Sequence, residues 1–320
     1  MKSFEPSFDI DLVYLWVNGN DPVWRSKRDN FIGATRKESA VNCDGRYADN
    51  DELLYSLRSV AAYAPWIHHI FIITDSQVPE WLDTDNSKIS IVDHKKILPP
   101  SALPTFNSVV IEHNMAEIPG LAEHFIYAND DMFFNRSVNP SDFFDANGLP
   151  YVRFNRRPCR KLTLWLKQKV LGKPLSNYNL TIQTAAMLVK KKYGRYFGHK
   201  THHNIDAYTK SSFRHFRHEV FNNEIDPTLS NHVRADNDIQ RNLYSYAAIA
   251  ERLAHPLFVS QKTSFRFHID KPQRYKKLEK YNPMLFCLND SQYATDEHRR
   301  LVSEFLKKRF PYPSEFEKVK

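Results

Sequence analysis

The chain has 320 residues and a formal net charge of +8, which hides an uneven distribution of charge. Residues 1–150 contain 12 Lys and Arg against 22 Asp and Glu, a net charge of −10, whereas residues 151–320 have a net charge of +18. The 8 glycines do not have the spacing of the glycine-rich loops that hold phosphates in dinucleotide-binding and P-loop proteins. The N-terminus does not resemble a signal peptide, and no uncharged apolar run approaches the length of a membrane span, about 20 residues.

The cysteine content predicts a reducing compartment. The three cysteines, Cys43, Cys159 and Cys287, are odd in number and have no C-x-x-C spacing. This pattern argues against a disulfide scaffold and against a cysteine-rich zinc site. We therefore expect a cytoplasmic protein, for which peripheral association with the inner face of the cell membrane is one option.

Four apolar runs of strand length organise the first half of the chain. They are Leu12–Val17, Ile70–Thr74, Ile89–Val92 and Phe125–Ala128. Each run is continuous rather than alternating, which is typical of strands buried on both faces of a parallel sheet. Helix-like stretches lie between them at Glu52–Tyr63, with Asp49–Asp51 as plausible caps, and at Ser108–Glu117. The alternation predicts an α/β fold with an open, mostly parallel sheet.

Polar and mostly acidic residues follow each of these runs. They are Asn18–Asp21, Asp75, Asp93–His94 and Asn129–Asp131. Ligands of open α/β sheets bind outside the carboxyl ends of the strands. We therefore expect these residues to converge on one site at one edge of the sheet.

The second half of the chain is basic and less regular, with two predicted helices. Asp236–Ala254 has apolar residues along one stripe, and Thr295–Phe310 carries Lys307–Arg309 in its last turn, where cations suit the helix dipole. We expect this more helical half to pack against the sheet. The change of charge predicts a boundary near residue 150.

Asp130 and Asp131 are the strongest candidates for a metal site. Adjacent carboxylates on a loop at a strand end offer hard oxygen ligands to Mg²⁺ or Mn²⁺, which can bridge the phosphates of a nucleotide. The alternative is an acidic turn that caps a helix.

A group of three histidines, His199, His202 and His203, could supply a general base or a metal ligand. The H-x-x-H spacing of His199 and His202 is a weak signal for zinc, and no third ligand to complete such a pair is evident. Acid–base chemistry is therefore favoured over zinc binding. The alternative is a partly exposed polar loop.

Two basic features could bind anions. Arg234 precedes a predicted helix and could grip a phosphate there, although it could equally be a solvated residue of a capping sequence. The run from Arg153 to Lys173 could bind nucleic acid or a polyanionic saccharide, or form a solvated face. No nucleic-acid motif supports the first of these.

Seven blocks of the sequence are long and keep a fixed order along the chain. They are Asp11–Trp24, Tyr47–Asp75, Gln77–Leu82, Leu103–Glu112, Ile118–Phe133, Gly198–Ala254 and Leu285–Glu317. Together they resemble the Stealth family of hexose-1-phosphate transferases. This family includes bacterial capsule and exopolysaccharide phosphotransferases and the catalytic subunit of the animal lysosomal-enzyme N-acetylglucosamine-1-phosphotransferase.

The resemblance implies a reaction and its partners. A hexose-1-phosphate or N-acetylhexosamine-1-phosphate would pass from a nucleotide diphosphate sugar to a hydroxyl of a saccharide acceptor, forming phosphodiester links in a bacterial surface polysaccharide. Mg²⁺ or Mn²⁺ would be the cofactor, and nucleic acid would not be a partner. Residues 1–150 would form a nucleotide- and metal-binding half with a nucleotide-sugar-transferase-like sheet. Residues 151–320 would bind acceptor and phosphate and complete one catalytic domain.

The resemblance also implies roles for individual residues. Asp130, Asp131 and Asp290 would hold the metal, with Asn289 as a neighbour, and His199 and Arg234 would act with Asp131 in catalysis. The residues near the nucleotide would be Asn18, Asp21, Asn50, Glu52 and Arg58. Thr201 replaces the family's proline and the spacing from His202 to Asp206 departs from the animal form, so the base could be any of the three histidines.

Other functions use the same residues. A non-catalytic module could bind anionic polysaccharide or nucleic acid through the basic half. An ordinary metal-dependent glycosyltransferase would transfer the sugar without its phosphate, and a hydrolase would use water as the nucleophile.

Overall fold

The computed structural model describes residues 6–33, 47–156, 163, 165–172 and 177–319. Cys43 and Cys159 lie outside these ranges, and Cys287 is a buried free cysteine. The described residues form three sheets from these strands: β1 Ile10–Leu15, β2 Ile70–Thr74, β3 Ile89–Asp93, β4 His124–Asn129, β5 Met132–Phe134, β6 Tyr151–Asn155, β7 Lys200–Thr201, β8 Asp206–Thr209, β9 His255–Val259, β10 Ser264–His268 and β11 Leu285–Asn289.

The α-helices of the described residues lie between and beyond these strands. They are α1 Pro22–Ile32, α2 Glu52–Tyr63, α3 Ser108–Glu112, α4 Asn177–Tyr193, α5 Lys210–Arg214, α6 Asn222–Leu229, α7 Asn242–Ala250, α8 Gln273–Tyr281 and α9 Asp296–Arg309. The described residues also form two π-helical stretches, Leu166–Val170 and His215–Val220, and short 3-10 helices at His94–Lys96, Pro100–Ala102, Met115–Glu117 and Pro140–Asp142. No helix in the described part of the chain is both long and apolar enough to cross a membrane.

The largest sheet has the order β3-β2-β1-β4-β8. Strands β1 to β4 are parallel to their neighbours, and β8 pairs antiparallel with β4 at the edge. Every residue of β1 and β2 is buried. The predicted α/β fold with an open, mostly parallel sheet is therefore confirmed, and all four predicted strands are present.

The sheet is covered on both faces. Successive residues of β1 enter different cores: Val13 and Leu15 pack in one, whereas Leu12 and Tyr14 pack in the other. This arrangement explains why the strands read as continuous apolar runs, since side chains on both faces of a strand pack in a core.

The two halves of the chain share sheets. β8, from the second half, extends the main sheet beside β4, and β5, from the first half, pairs with β11. Strand pairing therefore crosses the boundary near residue 150 that the charge change predicted. The basic half packs directly against the acidic half through these strands.

The predicted helices are partly confirmed. α2 has the predicted bounds, but Asp51 does not cap it through its side chain. The helix predicted over Ser108–Glu117 ends at Glu112 instead. Beyond this residue the Asn114 side-chain amide donates a hydrogen bond to the Val110 carbonyl.

One of the two predicted helices of the second half differs in its bounds, and the other agrees. The helix predicted from Asp236 begins only at Asn242, because residues 235–238 form a turn in which the Asp238 carboxylate accepts from the Ala235 N–H. α9 matches its prediction, with Thr295 as its cap.

Candidate active site

A cavity of about 940 Å³ lies at the carboxyl ends of the parallel strands. Trp16 and Val17 after β1, Asp130 and Asp131 after β4, and Asn289 at the end of β11 contribute to its wall. The other wall comes from the basic half. Its charged and histidine side chains there are Lys200, His202, His203, Asp206, Arg234, Asp238, Arg241, Arg266 and His268. Of the polar strand ends that were expected to converge, His94 and Asn129–Asp131 line this cavity, whereas Asn18–Asp21, Asp75 and Asp93 do not.

Three carboxylates of the acidic wall, Asp130, Asp131 and Glu52, lie close together, and Asp49 lies close to them outside the cavity lining. Burial, reinforced by Asp131 and Glu52, raises the pKa of Asp130 well above its ordinary value. Burial raises the pKa of Asp131 to about 6, that of Glu52 to about 8 and that of Asp49 to about 6. A nearby positive charge strongly stabilises the ionised form of carboxylates that are desolvated and repel one another.

Two side chains of β11 hold one oxygen of Asp131. The Asn289 amide donates to Oδ2 at 2.8 Å, and the Cys287 thiol lies 3.5 Å from the same oxygen. The other oxygen, Oδ1, is buried and has no hydrogen-bond partner among the described residues. A buried carboxylate oxygen without a partner is suited to accept a cation.

The donor set fits a divalent cation that is bound together with a phosphate ligand. No group of three or more His, Cys, Asp or Glu side chains within the described ranges could hold a metal ion by itself. Mg²⁺ usually binds through one or two carboxylates plus substrate phosphates, so Asp130 and Asp131 would suffice in such a site.

The three histidines have different surroundings. His202 is buried, and its two ring nitrogens contact Ser264 Oγ at 3.0 Å and Asp206 Oδ1 at 2.9 Å. His203 lines the cavity, where its Nε2 is 3.3 Å from the Asn289 amide nitrogen. Burial, followed by the charges of Arg266 and Arg241, lowers the pKa of His203 well below its ordinary value. The imidazole of His203 is therefore kept neutral.

His199, the preferred base of the sequence analysis, is not among the residues that line the cavity. Its ring packs edge-on against Phe258 of β9, with 4.7 Å between the ring centroids. Its Nδ1 is buried without a hydrogen-bond partner in the described structure. The turn between β7 and β8 brings His202 and His203, rather than His199, to the cavity.

Arg234 lies where the sequence analysis expected an anion-binding residue. It lines the cavity and donates a hydrogen bond to Ser108 Oγ at the start of α3. Arg241 also lines the cavity, but its guanidinium is shared between Asp206 at 2.9 Å and Glu112 at 3.2 Å. Arg241 therefore orients the Asp206 carboxylate that contacts His202.

Asn18 and Asp21 lie in a turn beside the cavity rather than in its wall. The Gln77 side chain stabilises this turn. Its amide donates hydrogen bonds to the Asn18 carbonyl at 3.0 Å and to Asp21 Oδ2 at 2.9 Å. The other oxygen of Asp21 caps α1 by accepting from the Val23 N–H. Gly19 is required in this turn, because a Cβ there would lie 2.2 Å from the Tyr47 carbonyl oxygen.

The remaining predicted residues divide between the cavity and its supports. Glu52 lines the cavity and accepts hydrogen bonds from the backbone and side chain of Asn50. Asp290 also lines it, but Arg299 donates to its Oδ2 at 2.9 Å. Arg58 lies away from the cavity wall, in a two-pronged ion pair with Glu317.

Several charged residues of the site or beside it were missed by the sequence analysis, among them Asp49, Glu112, Arg241 and Arg266. Asp49 was considered only as a helix cap, and Glu112, Arg241 and Arg266 were given no role. Asp49 could have been noticed from its position three residues before Glu52. The other three carry no local signal, since their partners are distant in the sequence.

Conserved regions of the Stealth family match much of this chain. Conserved region 1 matches residues 8–36, conserved region 2 matches residues 46–152, and conserved region 4 matches residues 276–320. Together these regions cover more than half of the sequence. The chain belongs to the Stealth family, and the family prediction is confirmed.

Curated relatives of this chain are named phosphotransferases. A capsular polysaccharide phosphotransferase of Haemophilus influenzae is 34% identical over 298 residues, which are 90% of this chain and 79% of the relative. Another from Neisseria meningitidis is 32% identical over 92% of this chain and 82% of the relative. An exopolysaccharide phosphotransferase of Lactiplantibacillus plantarum is 53% identical over 143 residues, only 45% of this chain and 41% of that protein. These names agree with the predicted enzyme class.

Solved structures of glycosyltransferases show a general likeness. The galactosyltransferase LgtC, in complex with donor and acceptor sugar analogs, aligns over 97% of both chains with a TM-score of 0.49 and 12% identity. Mouse xyloside xylosyltransferase 1 aligns over 88% of this chain and 98% of its own, with a TM-score of 0.43 and 9% identity.

Proposed function

We propose that this chain transfers a sugar 1-phosphate from a nucleotide diphosphate sugar to a hydroxyl of an acceptor saccharide, in the synthesis of a bacterial surface polysaccharide. The observation that carries the proposal is the cavity that joins the Asp130–Asp131 carboxylates to Arg234 and His203, in a chain of the Stealth family. Its volume is at the upper end of the range usual for small-molecule sites, which is suitable for a nucleotide sugar.

The reaction forms and breaks one bond to phosphorus. The acceptor oxygen attacks the phosphorus that bears the sugar, and the bond from this phosphorus to the oxygen of the nucleoside monophosphate breaks. The nucleoside monophosphate leaves, and the hydroxyl proton passes to a base. The attacked group is anionic, so stabilisation of negative charge dominates catalysis.

Charge would be balanced from both walls of the cavity. Asp130 and Asp131 would hold Mg²⁺ or Mn²⁺, which would neutralise the diphosphate. Arg234 would donate to the phosphoryl oxygens from the opposite wall. We leave Asp290 out of the metal ligands, because Arg299 already pairs with it.

We assign the base to His203 rather than His199. His203 lines the cavity and its lowered pKa keeps it neutral, as a proton acceptor must be. His202 would support the site, since both of its nitrogens are engaged by Ser264 and Asp206. The roles of Asn18, Asp21 and Asn50 would be to support the nucleotide-binding loops, with Glu52 in the cavity wall.

The test is to incubate the chain with a panel of nucleotide sugars, Mg²⁺ and saccharide acceptors, and to identify the released nucleotide. We expect nucleoside monophosphate, and label from the β-phosphate of the donor in the saccharide product. Asp131→Asn should abolish the release, whereas Asp145→Asn, at a carboxylate outside the cavity, should not.

Other outcomes would point to the alternative functions. Nucleoside diphosphate together with unlabelled product would indicate an ordinary glycosyltransferase. Release that does not depend on the acceptor would indicate a hydrolase. Binding of polysaccharide without any release, unchanged in Asp131→Asn, would indicate a non-catalytic module.

A further inference from the structure

We propose that a segment of the basic half docks this protein on the surface of an anionic phospholipid bilayer. The basic–apolar segment comprises the exposed residues Trp165, Leu166, Lys169, Val170 and Leu171 and the solvent-facing side of α4 over residues 180–192. The proposal does not depend on the proposed reaction, because it rests on exposure and charge outside the cavity.

The first part of the basic–apolar segment exposes large apolar side chains in close succession. Trp165 is 53% exposed, Leu166 is 41%, Val170 is 63% and Leu171 is 62%. Lys169 is exposed beside them. Single exposed apolar residues are ordinary on a soluble protein, whereas a contiguous group of them indicates an interaction surface.

The second part is the outer side of α4. Its inner side is buried in the core through Ile182, Ala185, Ala186 and Val189. Leu180 and Met187 are exposed and lie two helical turns apart, on the side opposite this buried stripe. Lys190, Lys191 and Lys192 are exposed in the last turn. The outer side of α4 thus carries two exposed apolar side chains among polar ones, with lysines at its end.

The charge of this part of the chain is of one sign. Residues 151–205 contain 13 Lys and Arg and no Asp or Glu. No carboxylate within this stretch can neutralise the lysines of the basic–apolar segment. An anionic surface is therefore the complementary partner.

The apolar side chains distinguish a bilayer from a soluble polyanion. A polyanionic saccharide would contact the lysines but would gain little from Trp165, Val170 or Leu171. A bilayer accommodates both, because apolar side chains insert at the level of the headgroups while lysines contact anionic lipids. Trp165 has the amphipathic ring that is favoured at membrane interfaces.

Docking through α4 would also place the cavity near the membrane. Thr181, the neighbour of exposed Leu180, lines the cavity and is buried. The cavity wall and the basic–apolar segment therefore meet at the start of α4. A membrane-bound saccharide could reach the cavity without leaving the lipid surface.

Co-sedimentation with vesicles tests the proposal on the full chain. We expect binding to phosphatidylcholine vesicles that contain about a third phosphatidylglycerol, weak binding to pure phosphatidylcholine, and loss of binding as salt increases. The double variant Trp165→Ser with Leu171→Ser should bind at least about tenfold more weakly. The triple variant Lys190→Gln, Lys191→Gln, Lys192→Gln should show a similar loss.

Matched control variants carry the same kinds of substitution outside the basic–apolar segment. Tyr312→Ser removes another highly exposed aromatic residue, and Lys307→Gln with Lys308→Gln removes exposed lysines of α9; both should bind as the unmodified chain does. Unchanged urea unfolding of every variant would show that the fold is preserved.

Two results would overturn the proposal. One is the absence of binding to anionic vesicles. The other is vesicle binding that Trp165→Ser with Leu171→Ser leaves unchanged while the lysine variant loses binding to dextran sulfate, which would assign the segment to a polyanionic saccharide instead.

Discussion

The Asn289 amide donates a hydrogen bond of 2.8 Å to the Asp131 carboxylate and so connects the end of β11 to the acidic wall of the cavity. Arg266 fixes this amide by donating to its Oδ1 at 2.9 Å. The same amide nitrogen lies 3.3 Å from Nε2 of His203, which accepts at this contact. A neutral imidazole has one accepting nitrogen, so the acceptor hydroxyl must displace the Asn289 amide from Nε2 before His203 can take its proton. One asparagine thus orients both the proposed metal ligand and the proposed base.

Asn289→Ala should lower activity about 10- to 100-fold and raise the Mg²⁺ concentration needed for half-maximal rate, because partners of metal ligands set the orientation of those ligands. Initial rates measured over a range of Mg²⁺ concentrations would test this. Asn86→Ala is the matched control, since the Asn86 amide contacts the Glu315 carbonyl in a remote loop. An Asn289→Ala variant with unchanged rate and Mg²⁺ dependence would remove Asn289 from the site.

His203→Gln should lower kcat by about 10²- to 10⁴-fold, the usual contribution of a general base. His199→Gln should have a small effect, because His199 packs against Phe258 rather than lining the cavity. Rates of nucleotide release for the two variants, made as a pair, would decide between the histidines. If His199→Gln lowers kcat far more than His203→Gln does, then His199 is the base instead.

The pH profile gives a second test of His203. Because burial and the charges of Arg266 and Arg241 lower its pKa, His203 stays neutral at pH 7, and the acid limb of kcat/KM should lie below pH 6.5. Arg266→Gln removes one of these charges and should move the limb to higher pH. A limb that does not move would show that another group controls it.

Asp130→Asn should abolish activity and yet stabilise the metal-free protein. The folded-state pKa of Asp130 is raised by burial and by Asp131 and Glu52, so ionisation of Asp130 opposes folding once the pH exceeds its unfolded-state value of about 4. Asparagine removes this cost, and Tm at pH 7 without metal should rise by about 2–4 °C. Asp145→Asn should not produce this rise, because hydrogen bonds from Leu149 and His255 outweigh burial and lower the pKa of Asp145.

The main sheet could be predicted from the sequence because its signals are local. β1 and β2 are buried on both faces and therefore read as unbroken apolar runs, and each polar strand end follows directly along the chain. The location of these polar strand ends follows from the topology, because the carboxyl ends of parallel strands lie at one edge of the sheet. The position of Asp130 and Asp131 directly after β4 is therefore enough to predict that they lie at the site.

The rest of the site could not be predicted because its contacts are long-range. β8 has four residues and pairs with β4 about 80 residues earlier in the chain, so no local pattern shows that the turn before it carries the cavity histidines. Arg241 is oriented by Glu112, which lies 129 residues away. Only the folded chain shows which of three nearby histidines meets Asn289.

Arg58→Met should reduce stability without changing KM for the donor. The resemblance placed Arg58 near the nucleotide, but its guanidinium donates to both carboxylate oxygens of Glu317, at 2.8 and 2.7 Å, and to the Phe310 carbonyl. Both side chains of the pair are mostly shielded from solvent, so we expect a loss of about 1–3 kcal/mol in the free energy of unfolding. Arg300→Met, at an exposed Arg whose ion pairs lie along α9, should reduce the free energy of unfolding far less than Arg58→Met does. A raised KM for the donor with unchanged stability would restore the nucleotide role.

His113 should make stability fall as the solution becomes acidic. Its ring is buried between the Tyr244 hydroxyl and the Ile239 carbonyl, and burial lowers its pKa to about 4. In the unfolded chain the pKa returns to about 6.5, so the unfolded state binds the proton first as the pH falls. The contribution of His113 is therefore complete above pH 6.5 and is lost between pH 6.5 and pH 4, by about 3 kcal/mol in total.

Urea unfolding of His113→Gln and of the unmodified chain, measured at several pH values, tests this expectation. The difference in free energy of unfolding between the two should shrink as the pH falls from 7 towards 4, because only the unmodified chain loses the His113 contribution. His255→Gln, at an exposed histidine, should leave that pH dependence nearly unchanged. A constant difference between His113→Gln and the unmodified chain would mean that His113 does not titrate on unfolding.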